Sequence, residues 1–326
     1  MKLYNINHII VLGGSVNCLF FLMYLKKNKI NYHFFTNQRM LNDKILNNRT
    51  LKDHLKDGKI NYISTKDINK DKNIFNCIKS SSLGIGFGQP WYIKNKLLNK
   101  FRGNIFDFMG IPMPMYRGGA HFSWMILNNQ RLGGCYLQNI NEKTVQGSSD
   151  SGYYLTGYKY KFPKNLKTPN DFFNFSKKKE ILFLRKFLTQ VKDKKKFKLK
   201  KFNENNSIFF PRLNNKTNGY INWENSADEI VRFINAFSEP YMGAITFLNK
   251  KKLYLKNATL IKKNDYHSFS SGLIVNKYKG FLYIAAKKGI IKVKDVINIK
   301  IDNIKIGQRL VTKNNLINKT KNHLIF

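Results

Sequence analysis

"HIIVLGGSVNCLFFLMYLKKNKINYHFFT", His8 to Thr36, decides the fold class. The apolar run at Ile9 to Leu12 has the length of a buried strand, Gly13 and Gly14 break it, and the apolar stretch to about Lys26 is long enough for a helix. Tyr32 to Thr36 then reads as a second strand. Strand, turn, helix, strand is a right-handed βαβ unit, and a chain that opens on one is expected to build a mostly parallel sheet. The Gly-Gly turn is weak evidence for phosphate binding, because any sharp strand-to-helix turn favours glycine.

The pattern repeats downstream. "SLGIGFGQPWYIKNKLL" gives a strand at Leu83 to Phe87, a loop at Gly88 to Trp91 and a helix from about Lys94. "NIFDFMG" is the next strand, "HFSWMILNN" a helix from about His121, "GGCYLQNI" a strand, and "SSDSGYYL" a loop leading into another strand. The block from Lys177 to Lys201 places Ile181, Leu182, Leu184, Phe187 and Leu188 on one face and its lysines outside, which reads as a basic amphipathic helix. Beyond it, short strands alternate with Asn, Lys and Gly turns and the helix "SADEIVRFINAF", as expected of a small closed β domain, an OB-like barrel of five or six strands. The boundary falls near residue 205, giving an α/β Rossmann-like domain over residues 1–204 and a linker helix plus barrel over residues 205–326.

A chain of 326 residues exceeds one typical domain, and 42% hydrophobic with 14% aromatic content is that of a folded protein. The longest apolar run, "CLFFLMYL", is stopped by Lys26 and Lys27, so the expectation is a soluble, cytoplasmic protein with no membrane partner. Cys18, Cys77 and Cys135 match no disulfide or metal-ligand spacing, and no metal is expected. The net charge of +39 points toward nucleic acid or another polyanion. The lysines, however, are spread along the whole chain beside abundant Asn and Ile, so a solvated basic surface is the reading preferred over a nucleic-acid footprint.

Five motifs in order carry a resemblance. They are "FGQPWYI" (Phe87 to Ile93), "MPMYRG" (Met113 to Gly118), "DSG" (Asp150 to Gly152), "FFPRLNNKTNGYINWENSADEIVRFINAFSEPYMGA" (Phe209 to Ala244), and the tail stretches "HSFSSGLIV" and "KIGQRL". In this order they resemble the formyltransferase family, the methionyl-tRNA formyltransferases and amino-sugar N-formyltransferases, over nearly the whole chain. The resemblance implies transfer of a formyl group from 10-formyltetrahydrofolate, as co-substrate, to a primary amine. It places the folate beside Gly88, Gln89, Pro90, Trp91 and Tyr92, and the amine substrate beside Arg117 and Gly118. The acceptor it favours is an amino sugar carried on a nucleotide; tRNA is the alternative.

The family catalyses this transfer with an Asn-x-His pair at the strand end before the signature loop and the Asp of the closing loop. The Asn position holds Asp107, the His position holds Met109, and Asp150 is retained. An ionised Asp107 is acceptor-only and would repel a developing oxyanion unless held protonated, and Met109 carries no proton. Three readings stay open. His121, at the start of a helix whose N-terminus lowers its pKa, is the proton carrier with Asp107 or Asp150 orienting it; or Asp107 is itself the base; or catalysis is lost and the chain is an inactive folate- or substrate-binding homologue. Each residue also has a plainer role: His121 as a helix-start residue, Arg117 as a loop tie, Trp91 and Tyr92 as core. Trp223 and Phe237 read as packing, and Gly118 and Gly119 as backbone requirements.

Overall fold

Gly13 and Gly14 end the first strand where the sequence says they should, and everything in the first half of the chain is arranged around that turn. The structure, a computed structural model, describes Leu3 and residues 6–141, 152–262 and 265–322. It divides into two compact units, one of residues 1–115, 133–160 and 176–208 and the other of residues 116–132, 161–175 and 209–326.

In the first unit β1 (His8–Gly13) leads into α1 (Val16–Lys27), whose cap Ser15 accepts from the Cys18 backbone N–H at 3.2 Å, and then β2 (Asn31–Thr36). There follow α2 (Gln38–Asn42), the short pair β3 (Lys44–Leu46) and β4 (Arg49–Thr50), α3 (Leu51–Asp57), β5 (Ile63–Ser64), α4 (Lys72–Cys77), β6 (Ser82–Phe87), α5 (Asn95–Phe101) and β7 (Ile105–Met109). After β8 (Arg117–Gly118), which belongs to the second unit, come β9 (Leu132–Asn139) and β10 (Tyr153–Lys161). The part of a long helix, α7 (Pro169–Lys192), from residue 176 onward and β11 (Lys200–Lys201) complete the unit. The eight strands of its sheet run in the order β11-β10-β9-β7-β6-β1-β2-β5. Strands β5, β2, β1, β6 and β7 pair in parallel, and β9 runs antiparallel to β7. The fold is thus mixed α/β with a large, mainly parallel sheet.

Alternation explains why the central strands are apolar throughout. Ile9, Val11, Phe34, Leu83, Ile85, Phe106 and Phe108 pack with Cys18 and Leu22 of α1 and Leu184 and Phe187 of α7. Ile10, Leu12, Phe35 and Ile105 pack on the opposite face with Leu97, Leu98 and Phe101 of α5. The helix read from Lys177 to Lys201 is displaced. Asp171 starts it earlier by accepting the backbone N–H groups of Lys167 and Thr168 at 3.0 and 2.9 Å. Lys194 at φ 55 ends it, so Lys200 and Lys201 are free to pair as β11 with Tyr153 and Tyr154.

The second unit contains α6 (His121–Leu127), β12 (Phe209–Phe210), α8 (Asn215–Asn218), α9 (Ala227–Ala236), the strands β13 (Ala244–Leu248), β14 (Lys251–Lys262), β15 (Ile274–Tyr278), β16 (Phe281–Ala286) and β17 (Gly289–Ile297), and α10 (Asn314–Asn322). The last five strands form an antiparallel sheet in the order β13-β14-β17-β16-β15. Isolated bridges join Phe247 to Val311 and Leu273 to Arg309, one near each edge of this sheet. Helix α9 opens on a capping box of Ser226 and Glu229. It is keyed to the sheet by buried Asn235, which donates to the Ala258 carbonyl and accepts from the Ala258 N–H, both at 2.9 Å.

Two stability predictions follow from these contacts. Asn235→Ala leaves both polar groups of Ala258 unpaired in the interior and is expected to cost roughly 2–4 kcal/mol, read as a lower midpoint in thermal unfolding. Gly118 has φ +95 and an added Cβ would lie 2.1 Å from the Phe210 carbonyl, whereas Gly88 at φ +60 has open space around it. Gly118→Ala should therefore destabilise by at least about 2 kcal/mol and Gly88→Ala by only about 1; equal losses in denaturant titrations would contradict this.

Candidate active site

The glycines of "GIGFG" are the reason the open face of the sheet can carry polar groups. A Cβ on Gly84 would lie 2.8 Å from Ile105 and 2.9 Å from Phe101, so its absence lets α5 pack closely. One step along the same face, a Cβ on Gly86 would lie 2.1 Å from Gln89 Oε1 and 2.7 Å from Asp107 Oδ1. These two oxygens therefore share the space above Gly86. Gly86 is the register partner of Asp107 on β7, and Asp107 is the register partner of Gln138 on β9. A row of Gly86, Asp107 and Gln138 thus crosses three adjacent strands, with Gln89 leaning over it from the loop after β6.

Asp107 is half-buried and Gln138 is 2% exposed. Gln89 Oε1 is buried with no hydrogen-bond partner among the described residues. An acceptor in that condition is costly unless a bound donor reaches it, so the row is built to receive an N–H or O–H. The Gly13-Gly14 turn has a packing explanation beside this row. A Cβ on Gly13 would lie 2.6 Å from the Phe87 carbonyl, and one on Gly14 would lie 2.8 Å from Leu51 Cδ2.

The rest of the loop after β6 is more varied than the sequence implied. Trp91 packs against the core beside Ile10 and Leu97 and donates its indole N–H to the Lys66 carbonyl at 3.0 Å. Tyr92 is 66% exposed, with its carbonyl accepting from Asn69. Gly88 and Pro90 are exposed. Met109, at the family's histidine position, joins an apolar cluster of Ile111, Met113, Tyr136, Tyr154 and Phe202. Burial in that cluster pushes the Tyr136 hydroxyl up to about 12.

Other expected residues lie in the second unit. Arg117 is 7% exposed in β8, which pairs with Phe209 and Phe210 of β12. Tyr116, at φ 60, stacks on Phe210, and Trp124 stacks on the same ring while donating to the Pro211 carbonyl at 2.8 Å. The Tyr-Arg-Gly turn is thus held by an aromatic sandwich. His121 opens α6 with no capping side chain before it, and its Nε2 is buried without a hydrogen-bond partner among the described residues. Desolvation lowers its pKa to about 4, so burial, not the terminus of a seven-residue helix, keeps the ring neutral. Asp150 lies outside the described residues.

Sequence reasoning missed Gln138 and a buried acid, Glu180. Both had a signal: Gln138 is two residues after Tyr136 on an alternating strand, and Glu180 falls on the apolar stripe of α7 one turn from Ser176 and Leu184. Among the described residues no helix is long and apolar enough to cross a membrane, and no group of three or more His, Cys, Asp or Glu could hold a metal ion.

Residues 214–308 match the C-terminal domain of formyl transferases. The chain is 29% identical over 222 residues to the methionyl-tRNA formyltransferase of Prochlorococcus marinus subsp. pastoris, a match covering 63% of this chain and 62% of that protein. It is 25% identical over 219 residues to the bifunctional polymyxin resistance protein ArnA of Wigglesworthia glossinidia brevipalpis, covering 64% of this chain and 32% of that protein. The chain therefore spans less than two thirds of the length of these relatives. In fold it is similar to WlaRD, a sugar 3N-formyl transferase solved with dTDP and 5-N-formyl-THF, with a TM-score of 0.64 at 17% identity over 90% of this chain and 99% of that one. A Helicobacter canadensis N-formyltransferase solved with folinic acid and dTDP-3-aminofucose gives a TM-score of 0.63 at 17% identity, over 89% and 99% of the two chains. Residues 214–308 thus carry a formyl transferase C-terminal domain, and the chain as a whole is similar to formyltransferases in sequence and in fold.

Proposed function

We propose that this chain transfers a formyl group from 10-formyltetrahydrofolate to the primary amine of a nucleotide-linked amino sugar. The catalytic domain is assigned to residues 1–204 and an OB-like C-terminal domain to residues 205–326. The observation that carries the reading is the pair of acceptors, Gln89 Oε1 and Asp107 Oδ1, gathered over Gly86 at the strand ends. An attacking amine brings N–H donors, and that is what such a pair recognises.

The reaction forms a bond from the amine nitrogen to the formyl carbon, breaks the bond from that carbon to the folate N10, and moves a proton from the amine to N10. Met109 takes no part in the proton movement. Asp107 is the base that takes the proton from the amine and passes it toward N10, Gln89 orients the amine through its carbonyl oxygen, and Asp150 is the residue assigned to orient the proton carrier. Gly88, Pro90, Trp91 and Tyr92 form the folate-side loop, and Arg117 and Gly118 shape the substrate side. His121, with its pKa lowered to about 4, is a weak base at pH 7, which favours its helix-start role.

A methionyl-tRNA acceptor is the second reading, supported by the 29% identical relative and by the +39 charge. Turnover of 10-formyltetrahydrofolate against charged initiator tRNA and against a panel of nucleotide-linked amino sugars separates the two. Transfer to tRNA alone would overturn the sugar assignment. Transfer to neither, with folate bound, would support an inactive homologue.

Asp107→Asn is the sharper variant, because it restores the residue expected of the family. If Asp107 is the base, kcat falls about 100- to 1000-fold; if Asp107 acts as a protonated oxyanion donor, the amide replaces it and activity persists. Asp150→Ala should also lower kcat, and unchanged turnover would remove Asp150 from the site.

A further inference from the structure

Glu180 is 2% exposed and its carboxyl is enclosed by four elements of the first unit. Asn17 Nδ2, in the first turn of α1, donates to Oε2. The Tyr160 hydroxyl on β10 donates to Oε1 at 3.4 Å, and Ser176, one turn back on α7, bonds the carboxyl as well. Cys135 of β9 lies close enough for its thiol to be pushed up by the carboxylate. The remaining side is main chain: a Cβ on Gly110, the residue after Met109, would lie 3.0 Å from Oε1. The facing titratable groups, Cys135 and Tyr160, are neutral at pH 7 because burial raises both.

Hydrogen-bond accounting identifies the protonation state that satisfies this cluster. Asn17 Oδ1 is buried with no hydrogen-bond partner among the described residues. An ionised carboxylate only accepts, so it leaves that oxygen unsatisfied, whereas a carboxylic acid has one O–H to give. We propose that Glu180 is a positioning residue held as a neutral acid, its O–H donated to Asn17 Oδ1 while Asn17 Nδ2 donates back, an acid–amide pair that ties the first turn of α1 to α7 beside the main chain at the end of β7. Burial pushes the Glu180 carboxyl up to about 7, so the pair stands near its own breaking point in neutral solution. Ionisation then breaks the pair and introduces a charge, faced by neutral groups, beside the strand end at Gly110, three residues beyond Asp107.

The kinetic part of the test rests on the formyltransferase reading; the spectroscopic part does not. Infrared titration of the 13C-glutamate-labelled full chain should show a carboxylic acid C=O stretch at pH 6, where ordinary carboxylates are ionised, that fades by pH 8 and is missing in Glu180→Gln. The unfolding constant of the wild type relative to Glu180→Gln should rise by up to about tenfold per pH unit between pH 5 and 7, because the folded state binds the proton more tightly. In turnover assays wild-type kcat should fall several-fold more than that of Glu180→Gln between pH 6.5 and 8, with Glu180→Gln retaining activity at pH 6.5. Absence of the acid band at pH 6 overturns the proposal, and so does a band with superimposable kinetic pH profiles. If neither protein transfers formyl, the functional reading fails while the band and the unfolding data still judge Glu180; the wild-type band stands alone should the variant not fold.

Discussion

The close approach of the ends of β1 and β6 is the constraint on which the first unit depends. Gly13 places its Cα where any side chain would strike the Phe87 carbonyl, and Gly14 donates its backbone N–H to the same oxygen at 3.2 Å. This contact fixes where the chain leaves β6 and hence where Gln89 falls. Gly86 and Gly84, on the adjoining register positions, then leave room for Asp107 and for Phe101. Four glycines at two strand ends thus perform three tasks: one joins the strands, one admits a helix and one opens a polar hollow. Because parallel strands deliver their C-terminal ends to the same edge, the loops after β1, β6 and β7 meet there without further design.

The second unit solves a different problem, which is how to fix a loop rich in proline and glycine. Regular pairing is short there, only Phe209 and Phe210 against Arg117 and Gly118. Aromatic stacking supplies what the ladder lacks, with the Phe210 ring between Tyr116 and Trp124 at centroid distances of 5.1 and 4.9 Å. Tyrosine at φ 60 is an unfavoured conformation, and the contacts on its ring offset that cost. The same economy recurs at α9, where one amide, Asn235, replaces a pair of ladder bonds at Ala258.

The βαβ opening, the strand at Leu83 to Phe87 and the helix "SADEIVRFINAF" were legible because each is a local pattern: an apolar run bounded by glycine, or a capped amphipathic helix. The start of α7 was not, because it is set by Asp171, well outside the lysine block that draws the eye. The motif order located the strand end with Asp107 and Met109, but not what surrounds them. Gln138 enters by antiparallel register from a strand some thirty residues away, and no single-chain periodicity reports register across strands. Gly86 is legible only as a glycine; that it holds space for two side-chain oxygens is a property of their packing.

Buried titratable groups also pull the fold in opposite directions with pH. His8, bonded to Ser82 and His33, and His121 are both lowered to about 4 by burial. Their unfolded forms bind protons more readily, so the stability they contribute is present above about 6.5 and is lost as pH falls toward 4. Glu180, raised to about 7, has the reverse sign: its contribution is present below about 4.5 and is lost as pH rises through 7. Between about pH 4.5 and 6.5 the two effects overlap and partly cancel. Above that window the histidines are already neutral in both states and only Glu180 still titrates. Its ionisation therefore acts on the fold unopposed at neutral pH, at the strand end that carries Asp107.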